Sequence, residues 1–394
     1  MKINTDEKKI QEFLTRGVEN VYPSQQDFGR ALRSGKQLTI YNGIDPTGPT
    51  LHIGHGVVLL KLRELQELGH KVILLIGDFT GMIGDPTDKT ATRKKLTRKE
   101  VLANCKNYAK QAGKILDMKK VDLKYNSKWL GKLRAGDFLE LGSEITVQRL
   151  LERDMFQKRM QEAKPVYLHE FIYPLLQGYD SVAMSVDAEI GGNDQTFNML
   201  VGRDMMKNRK KEKFVLTTKL LVDPTGKKMG KSEGNMVTLL DAPEEMYGKV
   251  MSWPDTLMPV AFEICTRVPM DEIKNILAGD PRDAKMRLAR EIVTLYYSAD
   301  DAAKAEENFV KIFQKKEAPE EVEEVKIDSE KINILELLVE TKLAASKGEA
   351  RRLVEQGGVK VGDQIINDIN EIVEISAEGV LIQKGKRHFV KVKS

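Results

Sequence analysis

The sequence predicts an α/β protein whose largest part is a doubly wound parallel sheet. Short strand-like runs alternate with helical patterns from about residue 37 to residue 240. The runs are rich in β-branched residues and apolar on both faces, which is typical of a parallel sheet covered by helices on both sides. Helical patterns dominate afterwards. With 394 residues, of which 41% are hydrophobic, the chain is long enough for two or three domains.

Residues 1–240 are predicted to form this Rossmann-like domain. After the first strand, apolar residues recur near a 3.6-residue spacing from Val57 onward, which indicates a helix. Thr97 stands three residues before Glu100, a capping-box pattern that predicts another helix start. A further helix is predicted over residues 169–184. The predicted buried strands are QLTIYNGI, KVILLIGDF, VDLKYN, VDAEIGG and KFVLTTKLLV.

The rest of the chain divides into three predicted segments. Residues 241–315 carry helical patterns such as RDAKMRLAREIVTLYY, and we expect an α-helical domain. Residues 316–331 are acidic and nearly free of large apolar side chains, which is typical of a solvated linker. Residues 332–394 begin with two helical patterns and end in strand patterns and a basic tail, which indicates a small α+β domain.

Composition narrows the class of protein. Charged residues make up 31% of the chain, but the net charge is only +4, so a basic-tail binder of nucleic acid is not indicated. Cys105 and Cys265 are far apart, which argues against a disulfide framework and a structural zinc site. The N-terminal segment lacks the apolar core of a secretion signal, and no apolar run approaches the roughly 18 residues of a membrane span. We expect a cytoplasmic protein without a membrane partner.

The segment LHIGH lies where the first strand gives way to a helix, a place where α/β folds bind anions. His52 and His55 are one helical turn apart and face the same side, and Gly54 lets a nucleotide approach the backbone. The two imidazoles are suited to donating hydrogen bonds to phosphate oxygens. A metal-binding pair or a simple helix cap is the alternative that this motif leaves open.

A second motif, DPTGKKMGKSEGN, follows the last predicted strand of the sheet. Its glycines allow the loop to move, and Lys228 and Lys231 supply positive charge for a triphosphate. An ordinary exposed basic loop is the alternative. The two motifs in this order are far more specific than either one alone.

These residues carry a resemblance to a known family. HIGH followed by KMGKS resembles the class I aminoacyl-tRNA synthetases. The segments YNGIDPT, GDFTGMIGDPT, YNSKW, HEFIYPLLQGYDS and EIGGNDQTFN resemble the tyrosyl-tRNA synthetases of bacterial type. The likeness extends over essentially the whole chain, and the C-terminal segment resembles the small S-four-like RNA-binding module first seen in a ribosomal protein. The resemblance implies a tyrosine–tRNA ligase.

The predicted helix over residues 169–184 carries a polar face. Tyr173, Gln177 and Asp180 share it because they are spaced i, i+4, i+7, which suits a zwitterion with a polar ring substituent. A solvated face is the alternative. The resemblance implies that Asp180 and Tyr41 contact the substrate phenol.

The resemblance further implies that Tyr173, Gln177 and Asp85 hold the α-ammonium group of the substrate. Phenylalanine would leave the buried hydrogen-bonding groups of the pocket unpaired. A site of this kind therefore rejects it without editing, a selectivity established for tyrosyl-tRNA synthetases themselves.

EIGGNDQ follows another predicted strand. Asp194 can accept hydrogen bonds from ribose hydroxyls, although a plain turn is the alternative. The resemblance places Gln195 near tyrosine and its adenylate, Asp45 on the adenylate and Thr47 on an ATP phosphate. The other residues that it assigns to ATP or the adenylate are Gly43, Gly54, Gly192, Lys228, Lys231 and Ser232.

The loop between residues 80 and 97 is rich in glycine and basic residues. Lys89 and Arg93 are candidates to hold pyrophosphate as it departs. An ordinary solvated loop is the alternative for each of them.

The resemblance implies a two-step reaction. The carboxylate of tyrosine attacks the α-phosphorus of ATP, and the tyrosyl-adenylate then passes its tyrosyl group to the terminal adenosine of tRNA(Tyr). No protein nucleophile is needed because the carboxylate is already ionised, so the enzyme acts by alignment and charge stabilisation. His52 and His55 would stabilise the pentacoordinate phosphate. Mg²⁺ would arrive with ATP, and we expect neither a dedicated metal site nor a tightly bound cofactor.

The resemblance also implies a homodimer with tRNA spanning both subunits. The tRNA would be bound by the helical segment 241–315, as an anticodon-binding domain, and by the C-terminal segment. Arg351 and Arg352 lie on a predicted helix of the C-terminal segment and are candidates for phosphate contacts. A solvated helix face, with its charge offset by Glu349 and Glu355, is the alternative.

Two residues depart from the patterns of the family. Gly230 stands where many synthetases have serine, and Glu189 stands where one branch of the tyrosyl enzymes has glutamine, which favours the other bacterial branch. The rival functions are a tryptophanyl enzyme, an RNA-binding protein that lost catalysis, and a nucleotidyltransferase with a HIGH motif. Tyr41 and Asp180 disfavour the first because an indole has no phenol hydroxyl. The complete motifs disfavour the second, and the tail disfavours the third.

Overall fold

The computed structural model describes residues 3–85, 95–222, 236–314, 323–327, 329, 331–362, 364–376, 379–385 and 388–394. By their internal contacts, the residues group into two compact units, Met1–Ala302 and Ala303–Ser394. The four-part division predicted from the sequence, with boundaries after residues 240, 315 and 331, stays a prediction.

The first unit is built on a six-stranded sheet. Five of the strands are parallel, in the order β6-β5-β2-β3-β4, and β1 pairs antiparallel with β6 at one edge. The predicted α/β fold with a parallel sheet is thereby confirmed. The strands are β1 Val18–Tyr22, β2 Thr39–Ile44, β3 Lys71–Ile76, β4 Val121–Tyr125, β5 Ala188–Gly192 and β6 Phe214–Thr218.

The edge strand β1 was not predicted from the sequence. It has only five residues, VENVY, two of which are exposed and polar. Such a strand carries little apolar pattern, because it depends on pairing with a strand almost 200 positions later, as in the Val18 to Thr218 pair.

Helices cover the sheet and continue after it. The capping box predicted at Thr97 is confirmed: its backbone N–H donates to Glu100 Oε2 at 2.7 Å, and its Oγ1 accepts from the Glu100 N–H at 3.3 Å. The predicted helix over residues 169–184 is α11, which begins one residue earlier. The helices are α1 Glu7–Thr15, α2 Gln25–Arg33, α3 Ile53–Glu67, α4 Thr80–Ile83, α5 Arg98–Cys105, α6 Tyr108–Ala112, α7 Ser127–Leu130, α8 Ala135–Ser143, α9 Val147–Leu151, α10 Asp154–Gln161, α11 Leu168–Met184, α12 Thr196–Asn208, α13 Pro243–Met251, α14 Met258–Cys265, α15 Met270–Leu277, α16 Pro281–Tyr296 and α17 Ala299–Gln314.

The sheet topology creates a crevice at its carboxyl edge. The chain runs from β2 outward to β3 and β4 on one side, whereas β5 and β6 lie on the other side of β2. The direction of winding therefore changes between β2 and β5, and ligands of open α/β sheets bind at such a point, outside the carboxyl ends of the strands.

The second unit is a small α+β domain, as predicted. Two helices, which are paired with each other, pack with the strands around a core that includes Leu337, Val354, Ile382 and Val392. Its elements are β7 Glu323–Lys326, β8 Lys331–Asn333, α18 Ile334–Glu340, α19 Lys347–Glu355, β9 Val359–Val361, β10 Gln364–Ile366, β11 Ile372–Glu374, β12 Val380–Lys384 and β13 His388–Lys393.

Within the predicted linker over residues 316–331, the structure contains a strand, β7, that the sequence did not indicate. This strand pairs parallel with β13, Val325 packs against the core, and Lys393 Nζ donates to Glu324 Oε2 at 2.7 Å. A single valine among charged residues gives almost no strand pattern. The strand forms because the C-terminal end of the chain supplies its partner.

Two further expectations concern membranes and cysteines. Within the described ranges, no helix is both long enough and apolar enough to cross a membrane. Cys105 and Cys265 are both buried free thiols.

Candidate active site

A cavity of about 420 Å³ opens at the carboxyl edge of the sheet, around the change of winding between β2 and β5. It gathers residues that are far apart in sequence. The predicted site residues that line it are Tyr41, Gly43, Asp45, Thr47, His52, Gly54, His55, Asp85, Tyr173, Gln177, Asp180, Gly192, Asp194 and Gln195.

Two other predicted site residues belong to the second unit. Arg351 and Arg352 are exposed on α19 in the second unit. Lys89, Arg93, Lys228, Lys231 and Ser232 lie outside the described residues.

One end of the cavity is formed by two deeply buried groups. Tyr41 on β2 has no exposed surface, and Asp180 on α11 is 2% exposed. Trp129 Nε1 donates to Asp180 Oδ1 at 2.7 Å, and Asn126 Nδ2 donates to Asp180 Oδ2 at 3.2 Å. The Tyr41 hydroxyl hydrogen-bonds the hydroxyl of Ser181 at 2.8 Å. The carboxyl group is therefore fixed by two donors in a place that bulk water does not reach.

Burial has the largest influence on the pKa values of Asp180 and Tyr41. It raises the pKa of Asp180 well above the ordinary carboxyl value, although Trp129 and Asn126 act in the opposite direction. It also raises the pKa of Tyr41, with a further contribution from the negative charge of Glu189. The phenol of Tyr41 consequently stays protonated at neutral pH and remains a hydrogen-bond donor.

Asp45 is the centre of a hydroxyl cluster. The Tyr173 hydroxyl donates to its Oδ2 at 2.9 Å, and the Thr80 hydroxyl donates to its Oδ1 at 2.6 Å. Asn126 connects this cluster to the buried end, because its Nδ2 also donates to Thr80 Oγ1 at 2.9 Å. A Cβ at Gly77 would lie 1.9 Å from Asp45 Oδ1, so a larger residue there would displace this carboxylate from its hydrogen bonds.

A second polar group surrounds Asp85, which follows α4. Gln195 Nε2 donates to Asp85 Oδ2 at 2.7 Å, and Asn198 Nδ2 donates to Gln195 Oε1 at 3.1 Å. Gln195 also reaches Asp194 Oδ2 at 3.4 Å. These contacts orient the Asp85 and Gln195 side chains at the cavity wall.

A buried ion pair lies beneath Gln177. Lys213 Nζ donates to Glu189 Oε2, and neither side chain is more than 3% exposed. Glu189 Oε1 accepts from Gln177 Nε2 at 3.2 Å. Burial lowers the pKa of the Lys213 ammonium, whereas the carboxylate of Glu189 opposes this shift.

The two histidines of LHIGH begin α3. His52 is the N-cap, and its Nδ1 accepts from the Gly54 N–H at 3.2 Å. His55 Nδ1 accepts from the His52 N–H at 3.2 Å, and the two rings are 3.9 Å apart. Capping, one alternative left open by the sequence, is therefore present.

The caps also determine the tautomers. Burial and the neighbouring His52 hold the pKa of His55 well below its usual value. A neutral imidazole whose Nδ1 accepts a hydrogen bond carries its proton on Nε2, so His55 can donate from that nitrogen.

Among the described residues, no group of three or more His, Cys, Asp or Glu side chains could hold a metal ion.

Both ends of the lysine-rich loop meet this cavity. Lys219 and Val222 before it and Met236 after it line the cavity. The Ile53 N–H donates to the Val237 carbonyl at 3.0 Å, which ties the segment after the loop to the start of α3. The described chain thus brings the flanks of the second motif to the first motif.

The family model for class I tRNA synthetases of the W and Y type matches residues 33–314. The chain belongs to this family. A second model, for the SYY-like C-terminal domain of tyrosine–tRNA ligase, matches residues 314–392.

Relatives of this class I synthetase share almost its whole length. A tyrosine–tRNA ligase of Moorella thermoacetica is 44% identical, with 99% of this chain and 97% of the relative covered. One of Thermotoga maritima is 46% identical, with 98% of each covered. A C-terminally truncated mitochondrial tyrosyl-tRNA synthetase of Coccidioides posadasii is similar in structure, with a TM-score of 0.62 and 25% identity. That match covers 76% of this chain and 91% of the other.

Several residues of the synthetase site were not predicted from the sequence. Asn126 and Trp129 belong to YNSKW, directly after β4, and the meeting of strand ends at one sheet edge is a signal that could have indicated them. Thr80 follows β3 in the same way. Lys213 and Ser181 offered no such signal, because Lys213 ends a run of charged residues and Ser181 simply follows Asp180 on α11.

Proposed function

We propose that this class I synthetase is a tyrosine–tRNA ligase. It activates L-tyrosine with ATP, releases pyrophosphate, and transfers the tyrosyl group to the 3′ end of tRNA(Tyr). The observation that supports this most strongly is the buried end of the cavity, where Asp180 and Tyr41 offer hydrogen-bonding groups away from water.

In this proposal, Asp180 and Tyr41 bind the phenol hydroxyl of the substrate. Asp180 is held by Trp129 and Asn126 before any ligand arrives, so little reorganisation is required on binding. Phenylalanine would bury the same groups without a partner, which costs far more than the loss of one apolar contact. An indole places no hydroxyl at this depth, so tryptophan is disfavoured for the same reason.

The opposite end of the amino acid carries an ammonium group. Tyr173, Gln177 and Asp85 line the same cavity and supply a hydroxyl, an amide and a carboxylate. These oxygens suit a cation with three donors. We assign them to the α-ammonium group, which leaves the substrate carboxylate directed at ATP.

The nucleotide is assigned to the side of the cavity formed by α3 and the end of β5. Asp194 would accept from the ribose hydroxyls, with Gly192 allowing close approach, and Asp45 and Thr47 would contact the adenylate and a phosphate. The further glycines Gly43 and Gly54 leave the cavity wall open to the nucleotide. ATP would enter as its Mg²⁺ complex.

Adenylate formation needs no nucleophile from the protein. His52 and His55 would donate to the α-phosphate as negative charge grows on its oxygens. Lys228, Lys231 and Ser232, and Lys89 and Arg93 from the other loop, would hold the departing pyrophosphate. The support for this is that described residues flanking both loops, Asp85 and Val222, lie at the cavity.

The second unit is proposed to bind tRNA. Arg351 and Arg352 are exposed on α19 and can contact phosphates, which position RNA without reading its sequence. The match of this region to the C-terminal domain model of tyrosine–tRNA ligases supports the assignment.

We place the reaction in the cytoplasm, with which two free buried thiols are compatible.

We further propose that the enzyme is a homodimer. Five of the ten large apolar side chains found exposed in the described chain lie between residues 139 and 168. A concentration of this kind is typical of a protein interface, and a symmetric pair of copies would cover it on both subunits. The five are Leu139, Val147, Met160, Tyr167 and Leu168.

The direct test is amino-acid-dependent exchange of labelled pyrophosphate into ATP, followed by charging of tRNA. We expect exchange with tyrosine at equal concentration to be far faster than exchange with tryptophan or phenylalanine. Exchange driven by tryptophan would replace the proposed substrate, and the absence of any exchange would favour an RNA-binding protein without catalysis.

A further inference from the structure

The ion pair between Lys213 and Glu189 has no evident structural need. Both groups are buried, at 0% and 2% exposure, although such pairs can often be replaced by apolar residues without loss of stability. Lys213 Nζ also donates to the Met199 carbonyl at 3.1 Å, so its cationic donors point at two acceptors. Glu189 lines the cavity and Lys213 lies directly behind it, so the pair invites a functional explanation.

The pair gives a direction to a chain of hydrogen bonds. An ammonium group only donates and an ionised carboxylate only accepts. Lys213 Nζ occupies one oxygen of Glu189, and the other oxygen accepts from Gln177 Nε2 at 3.2 Å. The amide of Gln177 is thereby held in one of its two orientations.

This orientation directs the carbonyl oxygen of the Gln177 amide away from Glu189. Gln177 Oε1 is buried and has no hydrogen-bond partner in the described chain, and Gln177 lines the cavity. An unpaired buried acceptor is unfavourable by itself. It becomes favourable when a ligand brings a donor to it.

We propose that Lys213 and Glu189 are a positioning pair that fixes the polarity of Gln177, so that its carbonyl oxygen is offered to the α-ammonium group of the substrate. This inference rests on the proposed function, in which Gln177 contacts that group. It adds that the selectivity for an amine is determined by two charged groups that lie behind Gln177.

The variant Glu189→Gln should invert the chain of hydrogen bonds. Lys213 would retain the carbonyl end of the introduced amide, whose NH₂ would then face Gln177. The Gln177 amide would have to flip, and its own NH₂ would face the ammonium of the ligand. Donor would oppose donor, whereas the shape of the cavity would stay the same.

The double variant Glu189→Gln with Lys213→Met provides the matched control. Without the ammonium group, nothing fixes the orientation of the amide introduced at position 189, so Gln177 can again present its oxygen. Replacing both members of a buried pair is also milder for folding than removing one charge.

Two ligands separate this positioning role from a general structural one. Tyramine carries the ammonium group, and 3-(4-hydroxyphenyl)propionate lacks it but keeps the phenol and the carboxylate. Titration calorimetry on the full chain should show that Glu189→Gln weakens tyramine binding by roughly 10-fold to 100-fold, as expected for a hydrogen bond to a charged group. Binding of the propionate should stay near the wild-type value, and the double variant should recover tyramine.

An equal loss of both ligands, an unchanged affinity for tyramine, or no recovery in the double variant would overturn the proposal. Neutron diffraction of the deuterated wild-type protein gives a test that needs no variant. Deuterons on the end of the Gln177 amide that faces Glu189 support the proposal, and the reverse orientation refutes it. A wild-type protein that binds neither tyrosine nor tyramine would instead remove the proposed function itself.

Discussion

The carboxyl group of Asp180 combines a strong hydrogen-bonding role with an unfavourable environment for charge. Two donors from Trp129 and Asn126 hold it, and burial still raises its pKa well above 3.8. A buried carboxyl group of this kind destabilises the folded protein at pH values where it is ionised in the unfolded chain. The presence of Asp180 is explained if its role is to bind a ligand, as a hydrogen bond to the phenol hydroxyl of the substrate would be.

The pH dependence of stability provides a prediction for this residue. Above pH 3.8 the carboxyl of Asp180 ionises in the unfolded chain, whereas in the folded protein it keeps its proton up to the raised pKa. The wild type should therefore lose stability over that interval, by about 1.4 kcal/mol for each pH unit. In Asp180→Asn this contribution is absent.

Chemical denaturation of both proteins at a series of pH values measures the difference. The free energy of unfolding of Asp180→Asn relative to wild type should increase as the pH rises above 3.8. A difference that stays constant across the interval would contradict the raised pKa.

Individual site residues could be predicted from the sequence where they belong to motifs that resemble those of a known family. Asp180, Tyr41 and Gln177 were predicted because their spacing and surrounding residues resemble a family, and they do line one cavity. Lys213 and its contact with Glu189 could not be predicted, because the two residues are 24 positions apart and meet only when β5 and β6 pair.

The elements of the sheet were predictable because their apolar runs are long and bounded by polar turns. The helix α5 was predictable for a different reason, since Thr97 and Glu100 form a local capping box that needs no tertiary contact. By contrast, β1 and β7 exist only through partners distant in sequence. Local patterns therefore predicted the central elements, and the two edge strands needed the assembled sheets.

The capping box also gives an element-scale prediction. Thr97→Ala removes the acceptor for the Glu100 N–H and should lower stability by about 1 kcal/mol, the usual effect of losing an N-cap side chain. Hydrogen exchange of the amides in α5 should accelerate, because this helix follows directly on that cap. Thr97→Ser retains the hydroxyl and serves as the control, so a variant pair with equal exchange rates would show that the cap contributes nothing.

At the scale of the whole molecule, the proposed dimer accounts for the exposed apolar side chains between residues 139 and 168. Leu168 is 76% exposed and Leu139 is 78% exposed, although both lie among helices that pack on the sheet domain. A second copy of the chain would remove that surface from water.

The oligomeric state can be tested with a single charge. Leu168→Glu places a carboxylate within this surface, and we expect it to shift the protein from twice the chain mass to the chain mass in sedimentation equilibrium at micromolar concentration. Leu102→Glu is a matched control, because Leu102 is 43% exposed and lies outside this segment. A wild-type protein that sediments as one chain would rule out the dimer.

The proposed selectivity for tyrosine depends on Asp180 and Tyr41 at the buried end of the cavity. The most direct measurement is the ratio of kcat/KM for tyrosine and phenylalanine in pyrophosphate exchange, compared between wild type and Asp180→Ala. We predict that the ratio falls by roughly 10-fold to 100-fold, the usual cost of leaving a buried hydrogen-bonding group unpaired, because tyrosine loses its partner and phenylalanine never had one. A ratio that stays at the wild-type value in Asp180→Ala would contradict the central claim.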